Sequence, residues 1–252
     1  MRKILEICCG DMAAVVAAKL GGATRIELCC GLAEGGLTPS KALIEMAVES
    51  GIPEINVLIR PRPGDFLYTQ DEIEMMERDI ITAIETGATG IVIGALTAEG
   101  DVDMSSCRRL ADAGISAAAH SGRKKPNITF HRAIDVSRNP IAALEDVISL
   151  GCDCLLTSGF KGDAESGISN IRQLMEKADG RLTIVVGAGI NPWNAAKILS
   201  ESGADGIHST ARQMVKSNML FRSADVSFDE DRLITDPEIV ETLVKLVNDF
   251  II

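Results

Sequence analysis

The sequence predicts an α/β fold, a single (β/α)8 barrel of the TIM type that occupies residues 1–252 as one domain. Three observations predict it. A unit made of an amphipathic stretch, a glycine and a short β-branched run recurs along the chain. Eight such units in 252 residues average about 31 residues each, close to a barrel of roughly 250 residues. No linker or low-complexity segment divides the chain, which disfavours the rival interpretation, a doubly wound open sheet.

Eight short apolar runs are predicted to be the strands, because each is too short for a helix and has the composition of a buried parallel strand. In chain order they are residues 4–8, 25–29, 55–60, 90–94, 128–131, 154–158, 182–187 and 206–209.

Helical patterns lie between these runs, near residues 11–20, 40–50, 70–86, 104–113, 138–149, 167–178, 192–202 and 236–249. A capping residue before a proline marks three starts, at Thr38, Asn191 and Asp236. Thr69 and Glu72 have the spacing of a capping box. The stretch 117–127 is basic, and we expect it to be a solvated loop.

Composition and charge exclude several classes of function. The chain has 25 basic and 36 acidic residues, a net charge of −11, which argues against nucleic acid or an anionic membrane as partner. No apolar run approaches the roughly 18–20 residues of a membrane span. Glu6 and Asp11 interrupt the stretch that a signal peptide would need, so we expect a cytoplasmic protein. Seven scattered cysteines fit free thiols or metal ligands in a reducing compartment.

Strand alternation predicts which side chains enter the barrel. Glu6 and Cys8 share one face of the first strand, and Glu27 and Cys29 share the matching face of the second. Their opposite faces are aliphatic and should meet the helices. Buried carboxylates need partners, and we expect Arg60, Arg132 and His131 to pair with them at the C-terminal mouth.

The two Glu-x-Cys units allow three interpretations of Cys8 and Cys29. Neighbouring strands are about 4.8 Å apart, so both thiols could reach one soft ion, and two cysteines without a third ligand suit Cu(I) better than zinc. The same geometry would allow a disulfide. Inert buried thiols are the third interpretation, because free cysteine packs well.

A small anion is the other ligand that the mouth residues suggest. Candidate anion-binding residues lie at or beyond the C-terminal ends of the third, fifth, seventh and eighth strands; they are Arg60, Arg62, Asp65, Arg132, Gly187, Gly189 and His208. Glu6, Glu27 and His131 are the candidate acid–base residues beside them. No organic cofactor is predicted, because no Gly-x-Gly-x-x-Gly follows the first strand and no predicted strand carries an interior lysine.

Several motifs in this order resemble the CutC copper homeostasis protein family. They are LEICCGD (5–11), GGATRIELC (21–29), EGGLTPS (34–40), LIRPRPGDFLYT (58–69), GALTAEGDVD (94–103), TFHRAID (129–135), LLTSG (155–159), HSTAR (208–212) and FRSADV (221–226). The resemblance implies a (β/α)8-type barrel, a cytoplasmic homodimer or homotetramer, and Cu(I) binding through Cys8 and Cys29.

Two functions therefore stand as hypotheses. The first is a protein of copper homeostasis that binds Cu(I) through the two thiolates. The alternative is an enzyme of unknown reaction on a small phosphorylated or carboxylated metabolite, with the acid–base residues acting beside arginine clamps.

Overall fold

Eight parallel strands close into a barrel in the order β1 to β8 in the computed structural model, which describes residues 3–226 and 231–250. The strands are β1 (Ile4–Cys9), β2 (Arg25–Leu28), β3 (Glu54–Leu58), β4 (Gly90–Ile93), β5 (Asn127–Phe130), β6 (Cys154–Thr157), β7 (Thr183–Val186) and β8 (Gly206–Ser209). The ring closes where β8 pairs with β1, with His208 opposite Glu6. The predicted fold is confirmed, and each predicted strand overlaps an observed one.

Helices alternate with the strands and surround them. They are α1 (Met12–Leu20), α2 (Lys41–Glu49), α3 (Gln70–Thr86), α4 (Met104–His120), α5 (Pro140–Ser149), α6 (Ile168–Ala178), α7 (Ala195–Ser202) and α8 (Pro237–Asp249). Within residues 3–226 and 231–250, none of the helices combines the length and the apolar character that a membrane crossing requires.

Helix starts follow the capping residues only in part. Asp236 caps α8 and Thr69 caps α3 in a full capping box with Glu72, as predicted. Thr38 does not cap α2; the cap is Ser40, whose hydroxyl accepts from the Leu43 amide. The Thr38 hydroxyl instead bonds the backbone of Arg60, which ties this loop to the end of β3.

Two further expectations were wrong. Helix α4 continues to His120, because Gly114 lets the helix lie close to β4: a Cβ there would be 3.0 Å from Ile91 Cδ1. Part of the expected loop 117–127 is thus buried helix. An antiparallel hairpin, β9 (Arg212–Val215) with β10 (Arg232–Thr235), also follows β8, where no strands were predicted.

Three buried clusters in the described part of the chain hold the barrel together, and the smallest joins Cys154, Leu156 and Val185. The main core lies between strands and helices and contains the aliphatic faces of the strands. Inside the barrel, a small cluster joins Cys8, Cys29, Leu58 and Val92. The inward face is therefore polar on β1 and β2 and partly aliphatic on later strands.

Candidate functional site

A cavity of about 430 Å³ opens at the C-terminal end of the barrel, where barrel enzymes place their active sites. Cys8 of β1 and Glu27 of β2 line its deeper part. Arg60, His131 and Arg212 come from segments just beyond strand ends and line it nearer the mouth.

Cys8 and Cys29 meet inside the barrel. Cys8 is in register with Glu27, and Cys29 follows two residues later on the same face. The two Sγ atoms are 3.7 Å apart, and both side chains are buried. Both thiols are free in this structure. The predicted convergence of the thiols is observed, and metal ligation by them stays a prediction.

Glu27 and the two thiols form a group of three candidate metal ligands. The Cys8 thiol donates to Glu27 Oε1 at 3.7 Å, and one ligand atom from each of the three residues lies within 4.8 Å of the others. The hydrogen bond to Cys29 and burial raise the pKa of Cys8 well above its ordinary value. A metal ion bound here would therefore have to displace thiol protons.

Glu6 is held by three side chains from three strands. Arg25 Nε donates to Glu6 Oε2 at 2.7 Å, and Asn56 Nδ2 donates to the same oxygen at 2.8 Å. His208 Nδ1 donates to Glu6 Oε1 at 2.9 Å. Burial alone would raise the pKa of Glu6, but the His208 hydrogen bond and the Arg25 charge lower it to about 2. The carboxylate is thus ionised and lies beneath the cavity without lining it.

The expected partners of the carboxylates were wrong. Arg60, Arg132 and His131 do not pair with Glu6 or Glu27; Arg25 and His208 pair with Glu6. The strand register explains the difference, because Arg60, Arg132 and His131 lie beyond the strand ends, one or more layers above Glu6. Arg25 could have been found from the sequence, since it lies two residues before Glu27 on the same inward face.

Glu27 and His208 face each other across the deeper part of the cavity. One ligand atom of each lies within 4.8 Å of the other, and both residues line the cavity. Burial raises the pKa of Glu27 to about 7, although the nearby His208 lowers it. Among the residues described, Glu27 Oε2 has no hydrogen-bond partner.

His131 lies in the cavity wall as a neutral hydrogen-bond donor. Its Nδ1 accepts the Ala133 amide at 3.1 Å, so the ring proton is on Nε2. Burial and the nearby Arg60 charge lower the pKa of His131 to about 3. The centre of the Phe66 ring lies 4.9 Å from the centre of the His131 imidazole. The Arg60 guanidinium lies over the same phenyl ring, 5.2 Å from its centre.

Arg132 lines the cavity but is already neutralised. It opens a short 3₁₀ helix, Arg132–Val136, and its Nε donates to Asp135 Oδ2 at 2.8 Å. Its Nη2 donates to the Ser158 hydroxyl at 2.9 Å. Asp135 also accepts a hydrogen bond from the backbone amide of Ser158. Arg132 and Asp135 therefore link the end of β6 to the segment after β5.

Three of the predicted anion-binding residues do not line the cavity. Arg62 points toward the start of α3, where it pairs with Glu72 at 2.6 Å and with Asp65 at 3.0 Å. Gly187 packs against His208 just below the cavity. Gly189 does line the cavity, in a turn where it and Ala188 both have left-handed backbone, with φ of 77° and 79°.

Known proteins resemble this chain over most of its length. The sequence profile of the CutC family matches residues 3–213. A CutC family protein from Parabacteroides distasonis is 44% identical over 96% of both chains, and the human copper homeostasis protein cutC homolog is 42% identical over 89% of this chain and 79% of its own. The crystal structure of CutC from Streptococcus agalactiae superposes with a TM-score of 0.75 at 29% identity, covering 82% of this chain and 98% of that one. With the motifs, the barrel and these relatives in agreement, the chain belongs to the CutC family.

Proposed function

We propose that this protein acts in copper homeostasis by binding Cu(I) through Cys8 and Cys29. The observation that carries the proposal is the 3.7 Å separation of two free, buried sulfur atoms in the barrel interior. Thiolates are soft ligands that select Cu(I) over hard cations. The copper homeostasis name of the human relative supports the same function.

The surroundings of the thiol pair also fit a bound monovalent cation. Glu27 lies beside Cys8 and accepts the hydrogen bond of its thiol. Glu6 is neutralised by Arg25 and so does not compete for the metal. Leu58 and Val92 pack against the two cysteines and exclude water from one side. These residues would hold the metal at the bottom of the cavity.

A competition titration of Cu(I) against a chelator tests the proposal. The wild-type chain should compete, and the Cys8→Ser/Cys29→Ser variant should bind Cu(I) more weakly by about 100-fold or more, since even outer-shell changes cost about 10–100-fold. Cys9→Ala is the matched control, because Cys9 neighbours Cys8 but lies on the opposite face of β1, in the outer core. Equal affinity of the double variant and the wild type would refute the proposal.

A second candidate function is acid–base chemistry on a small anionic metabolite in the same cavity. The observation that favours it is the pair formed by Glu27, with its unpartnered Oε2, and His208, whose imidazole is oriented by Glu6. A thermal-shift screen of phosphorylated and carboxylated metabolites, followed by turnover assays of each hit, tests it. We expect Glu27→Gln to abolish turnover of a hit; turnover of every hit unchanged by this substitution would contradict the assignment.

A further inference from the structure

Arg60 is a buried cation without an anionic partner. Its guanidinium donates to three backbone carbonyls, those of Glu34 at 2.8 Å, Gly36 at 2.9 Å and Gly64 at 2.9 Å. Its Nε has no hydrogen-bond partner, and no carboxylate of residues 3–226 or 231–250 lies within ion-pair distance. The residue is only 7% exposed. A buried charge of this kind is costly unless something neutralises it.

Arg212 presents a second uncompensated guanidinium to the same cavity. It lies just after β8, and its buried Nε is without a hydrogen-bond partner in the described part of the chain. It also forms no ion pair there. In a protein with a net charge of −11, two cations without carboxylate partners on one cavity are unexpected.

His131 adds a neutral donor to the same cavity. Its Nε2–H is buried and has no acceptor among the described residues, and the residue lines the cavity beside Arg60. Buried donors are nearly always satisfied by protein, by water or by a ligand. An acceptor that carries negative charge would satisfy His131 and the two arginines together.

The acidic residues that line this cavity do not neutralise Arg60 or Arg212. Asp135 is paired with Arg132 and accepts the Ser158 amide. Glu27 lies deeper, within β2, and contacts Cys8. The two unpaired arginines are therefore at the mouth, and the thiols and Glu27 are below them.

We propose that the mouth of the cavity binds a small organic oxyanion, a phosphate ester or a carboxylate, through Arg60, Arg212 and the Nε2–H of His131. A volume of about 430 Å³ is suitable for a small metabolite. The inference rests on the second candidate function and deepens it by naming the residues that would hold the anion, but it concerns binding alone and requires neither copper nor turnover.

Isothermal titration calorimetry in chloride-free buffer tests the proposal with three probes: inorganic phosphate, glycerol 3-phosphate and malonate. We expect at least one probe to bind, and the comparison among them separates phosphate, phosphate-ester and carboxylate chemistry. Arg212→Met should weaken binding by about tenfold or more, the effect of one charge-assisted hydrogen bond. Arg62→Met is the matched control: it lies two residues from Arg60 but pairs with Glu72 away from the cavity, so binding should not change.

Further variants keep the result decisive. The Arg60 guanidinium also binds three backbone carbonyls, so its removal could unfold the loops around it. Arg60 is therefore replaced by Lys, which retains the charge. Circular dichroism checks that Arg60→Lys and Arg212→Met are both folded. All titrations use the metal-free chain, so their outcome does not depend on the copper site. Absence of binding by all three probes would overturn the proposal. Equal weakening by Arg212→Met and Arg62→Met would also overturn it, because it would indicate nonspecific attraction.

Discussion

At the residue scale, the candidate site consists of ionisable groups whose behaviour depends on their depth in the barrel. Cys8, Cys29 and Glu27 lie within the strands or at their ends, whereas Arg60 and His131 lie one layer higher. Burial disfavours the charged forms of Glu6 and His131, and for Glu6 the neighbouring groups outweigh burial. Arg25 and His208 keep the buried Glu6 ionised, while burial together with the Arg60 charge keeps His131 neutral.

The neutral state of His131 predicts a pH dependence of stability. Its folded-state pKa of about 3 lies below the unfolded value of roughly 6.5. The unfolded chain therefore binds the extra proton between these values, and the free energy of unfolding falls as pH falls through this window. By pH 5 the loss should be about 2 kcal/mol. His131→Asn, whose side-chain oxygen can still accept the Ala133 amide, should remove this contribution.

Urea denaturation of the wild type and of His131→Asn, at pH 7 and at about pH 5, gives the free energy of unfolding of each protein. The contribution of His131 is the difference between their changes with pH. His120→Asn is the control for the loss of one histidine, because His120 is exposed on α4. Parallel curves for His131→Asn and wild type would contradict the assignment of a buried neutral imidazole.

At the element scale, the strand ends are positioned by close backbone packing. Gly94 follows β4 and lies against the imidazole of His131: a Cβ there would be 2.5 Å from Cε1 and 3.3 Å from Ala133 Cβ. Gly94→Ala should therefore push His131 away from its amide partner and cost about 1–3 kcal/mol of unfolding free energy, as overpacking does.

Chemical denaturation measures the cost of this substitution, with Gly162→Ala as the matched control. No atom lies within 4 Å of a Cβ built at Gly162, so that change should stay within about 0.5 kcal/mol. An equal effect of the two substitutions would show that Gly94 has no packing role.

The elements also show what sequence reasoning can and cannot reach. Alternation on β1 and β2 correctly predicted that Glu6, Cys8, Glu27 and Cys29 face inward, because the side-chain period of a strand is fixed by its geometry. The partners of Glu6 were missed, because they depend on the stagger between strands, which one sequence does not display. The end of α4 was missed for a related reason: Gly114 resembles a helix stop but serves close packing against β4.

At the scale of the whole molecule, the Glu6 network connects the two ends of the sheet. Glu6 on β1 bonds Arg25 on β2, Asn56 on β3 and His208 on β8, so it spans the point where the barrel closes.

Assembly into a homodimer or homotetramer stays a prediction, which sedimentation velocity checks.

Removal of Arg25 should destabilise the closed barrel. Arg25→Met leaves the Glu6 carboxylate buried with one fewer partner, and we expect a loss of about 3–5 kcal/mol, as for other broken buried pairs. Arg181→Met, which breaks an exposed pair with Glu145, should cost much less, because water screens exposed ion pairs. Denaturant midpoints measure both losses; a loss for Arg25→Met no larger than the control would contradict a structural role for the network.

The claim on which the proposed function depends is that Cys8 and Cys29 act as one ligand pair. X-ray absorption at the copper edge of the Cu(I)-loaded chain tests it most directly. We predict two sulfur neighbours around copper in the wild type and none in the Cys8→Ser/Cys29→Ser variant. A copper environment of nitrogen and oxygen only, or one unchanged in the double variant, would contradict the account.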